Sequence, residues 1–287
     1  MGRLSLSFLL IMLTFTSFAQ SPDRVLARVR YTYLNENDTL KNGKTRNENM
    51  LLFVGKNASL YTSYDKLNFE IADELKFRNS IKTRAIGGGQ PVAYISDNTP
   101  TQLMSKTSYF YFVKENKLIT KENIVMSYFL FEEEVPSIKW KITTDTMNFS
   151  GLNCLKALAN FEGKNWVAWF APSLPFYCGP WKLNKLPGLI IDAYEENKAI
   201  HFQFAGFENA KEGDHLRIDD VTKRPNARPG DYNPLDQLIG RDVGSAYFEN
   251  IIKLPPEAIK TNKKDIEKLK AAYKKDPKGF TRSLSKF

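Results

Sequence analysis

Two histidines, two cysteines and scattered carboxylates are the residues of this chain that could do chemistry. His201 lies between Ile200 and Phe202, so in a strand it faces away from both. His215 follows Asp214, and Asp219 and Asp220 lie close in sequence. A histidine beside carboxylates can bind a metal or act as a base. A hydrolase or metal-dependent enzyme using His201, His215 and nearby acids is therefore one expectation. The opposing expectation is plain polar surface, since the two histidines sit on different segments. Cys154 and Cys178 could complete a four-ligand zinc set with them, but the spacings match no finger pattern. No metal, no cofactor and no catalytic residue is assigned. Gly-x-Ser-x-Gly and His-Glu-x-x-His are absent, and Gly55-Lys56 lacks the rest of a phosphate loop. Glu132–Glu134 reads as a solvated strand end.

The compartment follows from the first residues. Arg3 precedes an apolar stretch, Leu4 to Phe18, and Ser17-Phe18-Ala19 fits a small-x-small cleavage pattern. Residues 1–19 are expected to be a cleaved signal peptide. The stretch is shorter than the ~20 residues of a membrane span, so no span is expected after cleavage. No Cys follows it, which argues against a lipoprotein anchor. The mature chain is expected to begin near Gln20, in the periplasm or otherwise exported. In an oxidising compartment the pair Cys154 and Cys178 suggests a disulfide, worth roughly 3.5 kcal/mol in the chain-entropy model. Two free buried thiols are the alternative. No Cys-x-x-Cys occurs, so redox chemistry is disfavoured.

The whole chain has 287 residues, 42% hydrophobic and 13% aromatic, with a mean hydropathy of −0.40 and a net charge of +9. This excludes a wholly disordered, coiled-coil or polytopic membrane protein. Residues 250–287 hold eleven Lys or Arg against four Asp or Glu, so the basic excess sits in the tail. Export argues against nucleic acid as its partner. A solvated helix is the simplest reading, with anionic lipid or an acidic partner as the alternative.

Short aromatic and β-branched runs fill the middle of the chain. Val25 to Tyr33 alternates with period two, and Asn35 to Lys44 reads as a polar turn. Met50 to Val54 and Ala58 to Ser63 form a hairpin signal. Tyr109 to Val113, Leu118 to Thr120 and Ile124 to Phe131 read as strands. So do Ile138 to Ile142, by alternation. Leu152 to Ala159 and Trp166 to Phe170 flank the break Glu162–Asn165, and Leu189 to Ile191 and Ile200 to Phe204 flank Glu195–Lys198. Gly87–Gly89 marks a loop. Residues 208–250 are polar and Pro-containing, and Asn262 to Lys275 is predicted helical. The expected fold is mainly β: an antiparallel curved sheet, open barrel or sandwich, with a C-terminal helix. The expected organisation is residues 20–207 as the β domain and 208–287 as a polar connection and basic helical tail.

The most distinctive segment reads Ala168-Trp169-Phe170-Ala171-Pro172, then Gly179-Pro180-Trp181, then Leu186-Pro187-Gly188-Leu189-Ile190. It resembles the GLPGLI family, exported proteins common in Bacteroidetes and named for that hexapeptide. The resemblance covers most of residues 24–206. Lys185 stands where the signature has its first glycine, a difference that matters if that position needs φ > 0. The resemblance implies an envelope protein and assigns no activity. Read physically, Pro187-Gly188 signals a type II turn leading into an inward-packed strand. Trp166, Trp169, Trp181 and this turn then form either a core corner or an apolar ligand cleft. The expected ligand-lining residues are Trp169, Trp181, Leu186, Pro187, Gly188, Leu189 and Ile190. The expected role is non-enzymatic binding or accessory work, with an apolar ligand or an outer-membrane or envelope protein as partner.

Overall fold

The computed structural model describes residues 21–39, 45–72, 104–125, 127–210, 245–278 and 280. The expected signal segment, Gly87–Gly89, Asp214, His215, Asp219 and Asp220 lie outside the described residues. Thirteen strands form one sheet. They are β1 (Asp23–Thr39), β2 (Thr45–Gly55), β3 (Ala58–Ser63), β4 (Thr107–Phe112), β5 (Lys117–Ile124), β6 (Ser127–Glu133), β7 (Lys141–Phe149), β8 (Leu152–Phe161), β9 (Lys164–Ala171), β10 (Leu189–Glu195), β11 (Ile200–Asn209), β12 (Ile251–Ile252) and β13 (Ile259–Lys260). Helix α1 covers residues 64–72 and α2 covers Lys263–Lys275. No described helix is long and apolar enough to cross a membrane.

The strand order is β13-β6-β5-β4-β3-β2-β1-β11-β10-β9-β8-β7, with β12 on β1. Every pairing is antiparallel except β13 with β6. The path is open, with β13 and β7 at its edges. Local chemistry explains the hairpins. Phe161 pairs Lys164, so β8 and β9 join through Glu162-Gly163, both at positive φ (53° and 73°). That primed turn matches the right-handed twist of the strands.

Two faces of the sheet are buried near its centre. Val29, Leu52 and Tyr61 share the inner face, while Phe53, Leu60 and Phe110 share the outer one. This explains the unbroken apolar run Met50 to Val54, since a strand covered on both sides cannot alternate. Ala246, on a single π-helical turn (Ser245–Glu249), and Ile252 cover the outer patch. Helix α2 covers the β5–β6 end of the inner face, with Ile266 against Ile124, Phe129 and Phe131. Asn262 caps it by accepting the Asp265 N–H at 3.0 Å.

The middle of the inner face is covered by the segment between β9 and β10, residues 172–188. Its ends meet, because Ala171 pairs Leu189. Its body reaches across to β6 in the other half of the sheet and to Trp140 just before β7. Lys182 pairs Glu133 of β6 at 2.8 Å. Asn184 accepts the Trp140 indole N–H at 2.9 Å. The Tyr31 hydroxyl of β1 donates to the Ile190 carbonyl at 2.6 Å, where the segment re-enters the sheet.

Several expectations change. The polar residues from Asn35 belong to β1, which continues to Thr39 by pairing β2 at Asn35 with Arg46 and at Thr39 with Thr45. The alternation Ile138 to Ile142 is not one strand. β7 starts only at Lys141, while Ile138 is buried before it and Ile142 is exposed on it. Pro187-Gly188 is not a type II turn. The Gly188 N–H donates to the Leu186 carbonyl at 2.8 Å, a three-residue γ-turn, and the Leu189 N–H is taken by Leu174 at 3.0 Å. The expected Cys154–Cys178 disulfide is not formed, and both thiols are free and buried. Each has its own partner. Cys154 donates to the Leu152 carbonyl at 3.6 Å, and Cys178 lies within hydrogen-bond reach of Ser59 on β3.

Lys185 takes φ +66°, so this position does need the left-handed region. An L-residue there costs ~1–2 kcal/mol, partly offset by the entropy a glycine would lose. Lys185→Gly is expected to raise the urea midpoint by about 0.5–1 kcal/mol equivalent. Gly188 has φ +152°, and an added Cβ would lie 2.4 Å from the Ala171 carbonyl oxygen. Gly188→Ala is expected to cost roughly 2–3 kcal/mol on the same titration. Equal midpoints for both variants would contradict this backbone assignment.

Candidate functional site

Where the covering segment stops, the inner face opens into a cleft of about 250 Å³. Four elements build its aromatic wall: Tyr33 from β1, Tyr61 from β3, Trp166 from β9 and Phe202 from β11. Strand pairing puts them on one face, since Tyr33 pairs Phe202 directly. The rings form a continuous layer. Tyr33 stacks on Phe202 at 5.3 Å, Trp166 on Phe202 at 6.1 Å, and Trp181 lies 5.9 Å from Trp166. Trp181, from the covering segment, closes one side, and its indole N–H reaches the Tyr109 hydroxyl of β4.

Arg46 is the charged residue of the lining. Its guanidinium is held by Asp38 at 3.0 Å and Glu48 at 2.9 Å. Glu48 is 2% exposed and also accepts the Ser105 N–H at 2.6 Å and the Ser105 hydroxyl at 2.8 Å. The cation is therefore neutralised in place. Burial pushes the Tyr61 phenol well above its ordinary range and raises Tyr33 and Tyr109 as well, so these hydroxyls stay protonated.

Three lining residues carry a buried polar atom with no hydrogen-bond partner among the described residues: Arg46 Nε, Tyr61 Oη and Trp166 Nε1. Such an atom costs about 1–3 kcal/mol while unmade. Native interiors rarely leave several in one place.

Of the residues expected to line a ligand site, Trp181 lines this cleft. Trp169 lies three residues from Trp166 and faces the other side of the sheet, against Phe149 and Lys156. Leu186, Leu189 and Ile190 are buried in the core, Gly188 is wedged on Ala171, and Pro187 is exposed. The signature thus supports the wall from behind. Tyr33, Arg46, Tyr61 and Phe202 were not legible as site residues, because only cross-strand register joins them.

His201 finds a carboxylate, but not one of those expected. Its Nε2 lies 3.0 Å from Asp192 Oδ1, while Asp192 Oδ2 accepts the Phe204 N–H at 2.9 Å. β10 is irregular between Ile190 and Asp192, and its ladder to β11 runs only from Ala193 to Tyr194. The Asp192 carboxylate supplies the acceptor that the backbone no longer offers. No group of three or more His, Cys, Asp or Glu that could hold a metal ion occurs among the described residues. Burial raises the Cys154 thiol to about 11 and the Cys178 thiol to about 12, so neither is an activated nucleophile.

No family model matches the chain, and no curated protein matches it. Two crystal forms of PNGF-II are similar among solved structures. One aligns at a TM-score of 0.43 and 13% identity over 66% of this chain, the other at 0.42 and 14% over 65%. The chain spans under a third of that protein's length, 29% and 28%.

Two outcomes follow. Tyr61→Phe removes an unpartnered hydroxyl, so unfolding free energy in urea should rise by about 1 kcal/mol. A loss of similar size would show that the hydroxyl has a partner. Cys154 and Cys178 ionise later folded than their ordinary value of 9.0. Their share of stability is thus complete below pH 9 and is lost as pH rises through about 11 and 12. Thiol titration at pH 8 should find none reactive in the native chain and two in denaturant without reductant. None in denaturant would restore the disulfide.

Proposed function

We propose that this chain is an exported, periplasmic or envelope-associated binding or accessory protein of the GLPGLI type, acting without catalysis. The observation that carries the binding reading is the aromatic cleft walled by Tyr33, Phe202, Trp166 and Trp181. It offers ring surface, a means by which pockets hold ligands. Its one charged lining group is already paired. The family reading rests on the segment Ala168 to Ile190, whose buried leucines and isoleucine shape the wall that Trp181 completes. Export rests on the apolar leader before Gln20. An outer-membrane or envelope protein remains the expected macromolecular partner. The enzyme alternative would use His201 with carboxylates. Asp192, its partner, has both oxygens engaged in joining β10 to β11, which favours a structural role.

The protein isolated from its native envelope should begin at Gln20. Native mass spectrometry should then show a small-molecule adduct that denaturation releases and Trp181→Ala abolishes. Identical native and denatured masses, together with a hydrolytic activity lost in His201→Ala, would replace binding by catalysis.

A further inference from the structure

Helix α2 lies outside the cleft, yet the two carboxylates that receive it are shared with the cleft wall. We infer that docking of α2 regulates the cleft: through Glu133 and Glu122 the helix holds Trp181, Tyr109 and Thr107 in place, and its release loosens that wall. The consequence for a ligand rests on the binding reading above.

Two ion pairs tie the helix to the sheet. Lys263, at its first residue, meets Glu133 Oε2 of β6 at 3.0 Å, and Lys270 meets Glu122 Oε1 of β5 at 3.2 Å. Each carboxylate has a second partner on the cleft side. Glu133 Oε2 also accepts from Lys182 at 2.8 Å. Lys182 follows Trp181 in the chain, and its ammonium lies 5.8 Å from the centre of the Tyr109 ring. Glu122 Oε2 accepts the Thr107 hydroxyl at 2.9 Å. Trp181, Tyr109 and Thr107 all line the cleft.

Burial sets which side of each pair depends on the other. Glu133 and Glu122 are 10% and 8% exposed, against 62% and 41% for Lys263 and Lys270. An exposed lysine returns to water at little cost, while a buried carboxylate stripped of its cation does not. Release of α2 would leave Glu122 without a cation among the described residues, and Glu133 with Lys182 and the Thr120 hydroxyl. The side chains that share these acids must then rearrange. The helix is the element able to let go. Thirteen residues are marginal as an isolated helix, and Ile266 is its buried side chain. Local release of this kind costs less than global unfolding. The linkage is reciprocal, so a ligand that fixes Trp181 and Tyr109 also favours the docked helix.

Hydrogen exchange on the purified chain and three variants tests this. Lys263→Gln/Lys270→Gln removes both ties. Lys264→Gln/Lys268→Gln removes the same charge from exposed positions, where Lys268 pairs Asp265 within the helix. Ile266→Asp releases the helix through its apolar contact. In the first variant amides 178–184 should exchange about threefold or more faster than in the parent, with cooperative unfolding retained. Ile266→Asp should give the same rise, and Lys264→Gln/Lys268→Gln should match the parent. Parental exchange at 178–184 in Lys263→Gln/Lys270→Gln, or in a folded Ile266→Asp chain with unprotected α2 amides, overturns the inference. So does an equal rise in Lys264→Gln/Lys268→Gln. The native-mass adduct should fall about threefold or more in Lys263→Gln/Lys270→Gln. Parental adduct occupancy despite faster exchange overturns regulation of the cleft. If exchange responds as expected but the parent carries no adduct, the helix coupling stands and the binding reading falls.

Discussion

One sheet of thirteen strands, with only short helices among the described residues, must find its own cover for a large apolar face. That constraint governs the structure. The chain answers it with residues 172–188, which leave β9, cross the inner face and return as β10. Its ties run through Lys182 to Glu133 of β6 and through Asn184 to Trp140 just before β7, and Tyr31 of β1 bonds Ile190 where the chain re-enters the sheet. Burial alone would raise the Glu133 carboxyl, yet Lys182, Thr120 and Lys263 hold it below its ordinary value. Covering segment and helix α2 therefore meet on one carboxylate. Near-complete burial of Leu183, Leu186, Leu189 and Ile190 gives the apolar return, of order 1.5–3 kcal/mol for each side chain.

The cleft is the remainder of that solution. The segment covers β10, β1 and β4 but stops short of the end where Tyr33, Arg46 and Phe202 lie. Rings exposed there are held by neighbours on the same face, and Trp181 is positioned by the segment itself. Shortening the covering segment would widen the pit, and lengthening it would fill the pit. The polar groups fit the same logic. Arg46 and Ser105 both bond the buried Glu48 carboxylate. Asp192 and His201 show the opposite case, a polar pair consumed in repairing an irregular strand.

Much of the fold was legible in the sequence because local rules dominated there. The polar break Glu162–Asn165 marked a hairpin, though its loop is only Glu162-Gly163, the spacing of Ile266 and Leu269 marked α2, and Leu189 to Ile191 marked an inward strand. The misses have physical reasons. Ile138 to Ile142 alternates without being one strand, since Ile138 and Trp140 pack against the core from the extended segment before β7 while Ile142 is exposed. Cys154 and Cys178 suggested a bridge by number and compartment, but pairing depends on where two strands place their sulphurs. The site was the least legible part. Its members come from β1, β2, β3, β4, β9, β11 and the covering segment, and register between strands far apart in sequence leaves no local motif. Trp181 was found because it sits in the distinctive segment. Tyr61 was not, because one tyrosine in a short strand looks like any core residue.

Hydrogen exchange on the chain as purified from its envelope, and again after ligand has been stripped by unfolding and refolding, tests the account most directly. Amides of the Tyr33 end of β1, the Arg46 end of β2 and residues 178–184 should lose protection on stripping, while β10 around Asp192 keeps it. Loss centred on Asp192 and His201, or no change anywhere, would contradict a ligand held in the aromatic cleft.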